Sequence, residues 1–179
     1  IPLLMRQSTS LQLKRVNHLL AFFGFILMPV LWFSVMHIRM QGLGFLLSVL
    51  CIVWVADIGA YFVGKTLGRH KLAPQLSPGK TIEGALGGLF LVCLMGTLCI
   101  ALDWFTLFTW AHELAGYLGA LVLVAILVGL SIMGDLFESQ LKRLAGVKDS
   151  SHLLPGHGGV LDRIDALMPV LPTTILILM

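Results

Sequence analysis

The chain has 179 residues, 58% of them hydrophobic and only 12% charged, with a mean hydropathy of +0.95 and a formal net charge of +3. Soluble domains run to roughly 45–50% apolar and about 25% charged residues, so this composition excludes an ordinary water-soluble domain and specifies a membrane protein. The three cysteines, Cys51, Cys93 and Cys99, sit in apolar runs without metal or redox spacing and read as buried bystanders.

Residues 1–17 are polar and carry Arg6, Lys14 and Arg15, a basic approach to the first span at 18–35, inside which Pro29 predicts a kink. No cleavable signal peptide is visible. A short link with Arg39 and Gly42 leads to a second span at 43–63. Residues 64–83 form a polar loop punctuated by glycine and proline, and 84–102 a third span. The aromatic stretch 103–113 supplies Trp and Phe residues expected as interfacial anchors. A fourth span covers 117–134, a long polar loop 135–165, and a fifth apolar run 166–179. That last run is short of the ~20 residues needed to cross a bilayer. With Ile1 at the start and Met179 inside an apolar run, the chain reads as part of a longer protein. The fold class expected is an all-α polytopic helix bundle of about five spans, a single membrane-embedded region with two large motif loops.

Orientation follows from the basic residues. The N-terminal stretch and the two motif loops hold eleven of the twelve Lys and Arg; Arg39 alone lies on the other side. That asymmetry places both motif loops in the cytoplasm, on the inner membrane if the cell is bacterial.

The polar residues define the chemistry. Asp135 and Glu138 are three apart, which puts them on one face of a continuing helix, and Asp162 and Asp165 repeat the spacing where the fifth run begins. Two such pairs beside a His157-Gly158-Gly159 turn favour a Mg²⁺ site over solvated helix ends or pairing with Lys142, Arg143 and Arg163, because Mg²⁺ takes one or two carboxylates and leaves positions for substrate phosphates. Asp57 is an ionisable group inside a span, which by default faces a bundle interior or watery cavity; the alternative is a structural role, snorkelling or pairing with Lys65. Ser77-Pro78-Gly79-Lys80-Thr81 resembles a phosphate-binding turn without being a P-loop, and Lys80 can meet a phosphate as a point charge. Gly158 and Gly159 allow close backbone approach ahead of a helix starting at Leu161. His157 fits phosphate orientation, proton transfer or a loop hydrogen bond equally well. Together these residues describe a metal-assisted phosphate site at the membrane surface.

The run Ser139-x-Leu141-Lys142-Arg143, Lys148-Asp149-x-Ser151, Leu154-Pro155-x-His157-Gly158-Gly159 and Asp162-Arg163-x-Asp165 resembles the signature of the phosphatidate cytidylyltransferase, or CDP-diacylglycerol synthase, family. Asp57 with Ala60-Tyr61, and Ser77-Pro78-x-Lys80-Thr81-x-Glu83-Gly84, extend the likeness over residues 50–170; Ile82 stands where the family commonly has an aromatic residue. Members carry further N-terminal helices. The resemblance implies CTP and phosphatidic acid as substrates, Mg²⁺ with K⁺ as a companion ion, membrane lipid as the surroundings and no nucleic acid, with a homodimer left open. It implies metal binding by Asp162, with Asp165, Asp135 and Glu138. Lys142, Arg143, Lys148, Asp149, His157 and Arg163 would act with Asp162 in catalysis. Ser77, Lys80, Thr81, Ser139, Gly158, Gly159 and Asp57 would line the substrate pocket. Two alternatives remain: another CTP-dependent transferase or kinase acting on a lipid phosphate or polyprenol, and a transporter.

Overall fold

The structure, a computed structural model, describes residues 24–104, 106–144, 146–147, 150–151 and 159–179. Helix α1 covers Gly24–Met40 and runs through Pro29. A turn at Gly42, whose φ of +127° suits a residue without Cβ, leads into α2, Leu43–Leu67. Strands β1, Lys71–Ala73, and β2, Ser77–Thr81, form an antiparallel hairpin with an irregular register. They are followed by α3 (Ile82–Ala101), α4 (Leu107–Leu144), α5 (Leu161–Ile164) and α6 (Leu167–Leu178).

Helices α2, α3 and α4 are long and apolar enough to cross a membrane, whereas α1 and α6 are shorter apolar helices. The protein is an all-α integral membrane protein, as its composition requires. The hairpin is an addition: the loop expected at 64–83 begins as helix to Leu67 and then pairs with itself. In a low-dielectric setting that pairing satisfies backbone groups an irregular loop would leave open.

Small residues decide which helices meet. A Cβ on Gly59 would lie 2.9 Å from the Cα of Gly88, and one on Gly88 would lie 2.4 Å from the carbonyl oxygen of Ala56, so α2 and α3 touch backbone to backbone. At the end of this pair away from the hairpin, Ser48 Oγ donates to the Phe45 carbonyl (2.7 Å) and accepts the Leu107 N–H (2.9 Å), joining α2 to the start of α4. Phe108 is fully buried against Gly96 of α3. This corrects the expectation of interfacial anchoring for one aromatic of 103–113: residues from Leu107 onward are helical and tuck Phe108 inward, while Trp104 is exposed.

Helix α4 turns at Gly116 (φ +70°) and then continues to Leu144. The polar loop expected from 135 therefore starts ten residues late, because 135–144 extends the fourth span. The helix stops in a Schellman motif: Gly146 adopts φ +72°, its N–H donates to the Arg143 carbonyl (3.1 Å), and the Val147 N–H donates to the Lys142 carbonyl (3.0 Å). Further back along α4, an added Cβ at Gly134 would lie 2.5 Å from the Asp165 carbonyl oxygen and 2.8 Å from Pro169 Cδ. The bare glycine thus lets the α5–α6 corner settle onto α4.

Candidate active site

The long second part of α4 carries Asp135, Glu138, Ser139, Lys142 and Arg143 on its last turns, beyond its apolar stretch. The hairpin brings Lys80 to the same end, where its ammonium pairs with Asp135 Oδ2. Lys142 bridges two elements: its ammonium contacts Glu138 Oε2 one turn earlier and lies 2.7 Å from Asp162 Oδ1 on α5. Three segments far apart in sequence thus meet through five charged side chains, two lysines and three acids.

Asp162 is the most heavily coordinated of these groups. Besides Lys142 it accepts the Ser150 N–H (3.0 Å), the Ser150 hydroxyl (2.8 Å) and the Gly159 N–H (2.7 Å). Gly159 is needed for that approach, since a Cβ would meet Ser150 Oγ at 2.0 Å. Burial works to raise the pKa of Asp162, but the Lys142, Gly159 and Ser150 hydrogen bonds outweigh it and hold the carboxyl well below the usual range. Asp165 goes the other way. Burial, with the Asp135 charge adding to it, outweighs the Ala166 N–H that Asp165 accepts at 2.7 Å and lifts its pKa to about 6.

Glu138 is only 3% exposed, and among the described residues neither carboxylate oxygen accepts a well-formed hydrogen bond; Oε2 has the Lys142 ammonium and Oε1 has no partner there. Leaving a buried acceptor unmet is costly. Among the described residues, no three His, Cys, Asp or Glu side chains close on one point as a ready-made metal cage. The donor set nevertheless suits a hard divalent ion: oxygen ligands only, one of them orphaned, with ammonium groups standing where cationic charge is wanted.

Beside the cluster lies a cavity of 630 Å³ between α2, the hairpin, α3 and α4. Its floor is small and apolar (Ala56, Ala60, Gly88, Val128), and Lys65, Lys71 and Lys80 stand around it with Asp57, Tyr61 and Ser77. Asp57 opens into this space within electrostatic reach of Lys80 and Asp135. A second cavity, of 520 Å³, lies toward the opposite end beside Cys51, Cys99 and Trp104, with no cation among the described residues that line it.

Of the residues singled out from sequence, the structure joins Lys80, Asp135, Glu138, Lys142, Asp162 and Asp165, with Asp57 and Ser77 on the cavity wall. Ser139 faces Asp135, its hydroxyl 3.4 Å from Oδ1. Thr81 caps α3, its hydroxyl accepting the Gly84 N–H, while also touching the cavity. The Gly159 N–H is engaged by Asp162. Arg143 is exposed on the last turn of α4, and Arg163 on α5 is exposed as well. Lys148, Asp149, His157 and Gly158 lie outside the described residues. Sequence reasoning passes over Ser150, which grips Asp162; its one signal is a hydroxyl residue upstream of a short helix with an acid in its first turn.

Glu83 completes the frame. Its carboxylate accepts the Arg69 N–H (3.1 Å) and the His70 N–H (3.2 Å), and His70 Nδ1 lies 2.6 Å from Oε1. The backbone entering β1 is thereby fixed to the start of α3, and with it the position of Lys80 on the partner strand.

A profile of the cytidylyltransferase family matches residues 2–179. Similar proteins include the phosphatidate cytidylyltransferases of Haemophilus influenzae (46% identical over 136 residues, 76% of this chain and 46% of that protein) and Pseudomonas aeruginosa (45% over 149 residues, 82% and 52%). The Staphylococcus aureus protein of the same name is 44% identical over 137 residues, 75% of this chain and 48% of its own length. The chain spans about half the length of the curated relatives it matches. A solved structure described as an intramembrane enzyme for archaeal membrane lipids biosynthesis is a looser match, with a TM-score of 0.46 and 21% identity over 72% of this chain and 77% of that one.

Proposed function

Since this chain belongs to the cytidylyltransferase family, we propose that it forms the catalytic region of a phosphatidate cytidylyltransferase, converting CTP and phosphatidate to CDP-diacylglycerol and diphosphate. The observation that carries the reading is the convergence of Lys80, Asp135, Glu138, Lys142 and Asp162 at one end of the bundle, beside a cavity with an apolar floor. The eleven-to-one distribution of basic residues supports a cytoplasmic position for that end, where CTP is found, and the inner membrane if the cell is bacterial.

An oxygen of the phosphatidate phosphate attacks the α-phosphorus of CTP. The new O–P bond forms as the bond from the α-phosphorus to the bridging oxygen breaks, and diphosphate leaves with that electron pair. No side chain acts as nucleophile, because phosphatidate already carries an ionised oxygen. Asp162, Asp165, Asp135 and Glu138 would hold Mg²⁺, with K⁺ as companion, and the bound ions supply positive charge against the triphosphate. Lys80 and Lys142 neutralise phosphate oxygens, joined by Arg143, Lys148 and Arg163. The cavity accepts the lipid headgroup past Ser77 while the acyl chains stay in the bilayer.

The test is label transfer by the full-length protein in membranes. The α-label of CTP should move to phosphatidate with release of diphosphate; movement of the γ-label to a lipid would show a kinase and refute the reading. Asp162→Asn should lower transfer by about a hundredfold or more, because metal charge at such a site is worth several kcal/mol.

A further inference from the structure

The cluster contains more acid than its bridging lysines neutralise. Among the described residues, Asp135, Glu138 and Asp162 contact two ammonium groups, those of Lys80 and Lys142, and Asp165 and Asp57 lie within electrostatic reach. In this state Lys80 and Lys142, the cations best placed to meet a triphosphate, are both engaged by carboxylates. The excess negative charge would repel a nucleotide. Yet Glu138 retains a buried oxygen that no group among the described residues satisfies, so the lysines do not complete the site.

We propose that Lys80 and Lys142 are exchangeable counter-ions: they hold the carboxylates of the substrate-free site and turn to phosphate when divalent cations take their place. This inference rests on the function proposed above and adds a coupling to it. Cation and nucleotide each favour the state in which lysine has left carboxylate, so each tightens the other's binding through the protein, beyond their direct contact in solution. The two lysines arrive from different elements, the hairpin and α4, and pair with different acids. A flexible four-carbon stem suits such a change of partner, since an ammonium is a point charge without the fixed fork of a guanidinium.

The exchange gives a sign that no other role gives. A lysine that only binds phosphate would leave cation affinity without nucleotide unaltered, and one that only braces the fold would weaken cation and nucleotide binding alike. A counter-ion competes with the cation, so removing it tightens one and weakens the other. The experiment uses full-length protein in nanodiscs with Mn²⁺ as the probe, free Mn²⁺ being read from its paramagnetic resonance signal. Lys142→Gln should bind Mn²⁺ at least about fivefold more tightly in the absence of nucleotide, the lower end of ordinary coupling, and should bind CTP more weakly in its presence. Lys142→Arg, which keeps a cation in place, should retain wild-type Mn²⁺ affinity. Lys80→Gln is an independent second variant, should Lys142→Gln fail to fold, and is expected to show the same pair of shifts. Unchanged or weaker Mn²⁺ binding in the folded glutamine variants overturns the exchange while leaving label transfer, and the function, untouched. Absence of Mn²⁺ binding in wild type and variants alike, with CTP or without it, overturns both the exchange and the metal assignment.

Discussion

Asp162 and Lys142 show how one contact can serve both folding and chemistry. The lysine joins Glu138 of α4 to Asp162 of α5, twenty residues further along the chain than the lysine itself. Removing one partner of a buried ion pair leaves an uncompensated charge and costs about 3–5 kcal/mol. Lys142→Met should therefore lower the unfolding midpoint in detergent, and adding Glu138→Gln should recover part of the loss by removing one stranded carboxylate. If the double variant were no more stable than the single one, Glu138 would not share that lysine. The amino-acid types and the i,i+3 pairs were legible in the sequence, and so was their approximate meeting place. Which acid meets which base was not, because that depends on side-chain reach across elements. Ser150 was missed for the same reason: a serine in a polar stretch announces nothing until Asp162 is folded over it.

At the scale of elements, α4 governs the site and glycines govern α4. Gly134→Ala should push the Asp165 corner off the helix, at about 1–3 kcal/mol for overpacking, and cut activity with it. Gly129→Ala, on the same helix with open space around the added methyl, should be neutral or stabilise by up to ~1 kcal/mol. Comparing the two unfolding midpoints separates steric contact from helix propensity. Gly146→Ala places a Cβ in a left-handed cap and should cost about 1–2 kcal/mol. It should also speed amide exchange over 139–144, the turn that carries Lys142. The true end of α4 was readable from Leu-Ala-Gly-Val, in which a glycine stops a helix that has already changed from apolar to charged. Hydropathy alone ended the span at 134, since it registers where the membrane stops rather than where the helix does. The hairpin was hidden for a related reason: three- and five-residue strands, one of them containing Pro78 and Gly79, carry no alternation to detect.

For the whole molecule, the sidedness proposed from charge can be checked by labelling. With the native cysteines replaced, single cysteines at Gly79 and Gly146 should react with an impermeant maleimide only from the cytoplasmic side. One at Trp104 should react only from the other; labelling of Gly79 and Trp104 from a common side would refute the topology.

The straight part of α4, residues 117–144, is about 42 Å long, whereas a hydrocarbon core is about 30 Å thick. A helix held by the α5–α6 corner and by the Gly116 turn has little freedom to shorten, so host bilayer thickness should act on the activity proposed above. Long-chain phospholipids would sink Asp135 toward the acyl region, where an ionised carboxylate is disfavoured. Very short ones would strand the cavity mouth in water, away from any phosphate that is still anchored by its tails. Turnover in vesicles of graded chain length should therefore peak at an intermediate thickness.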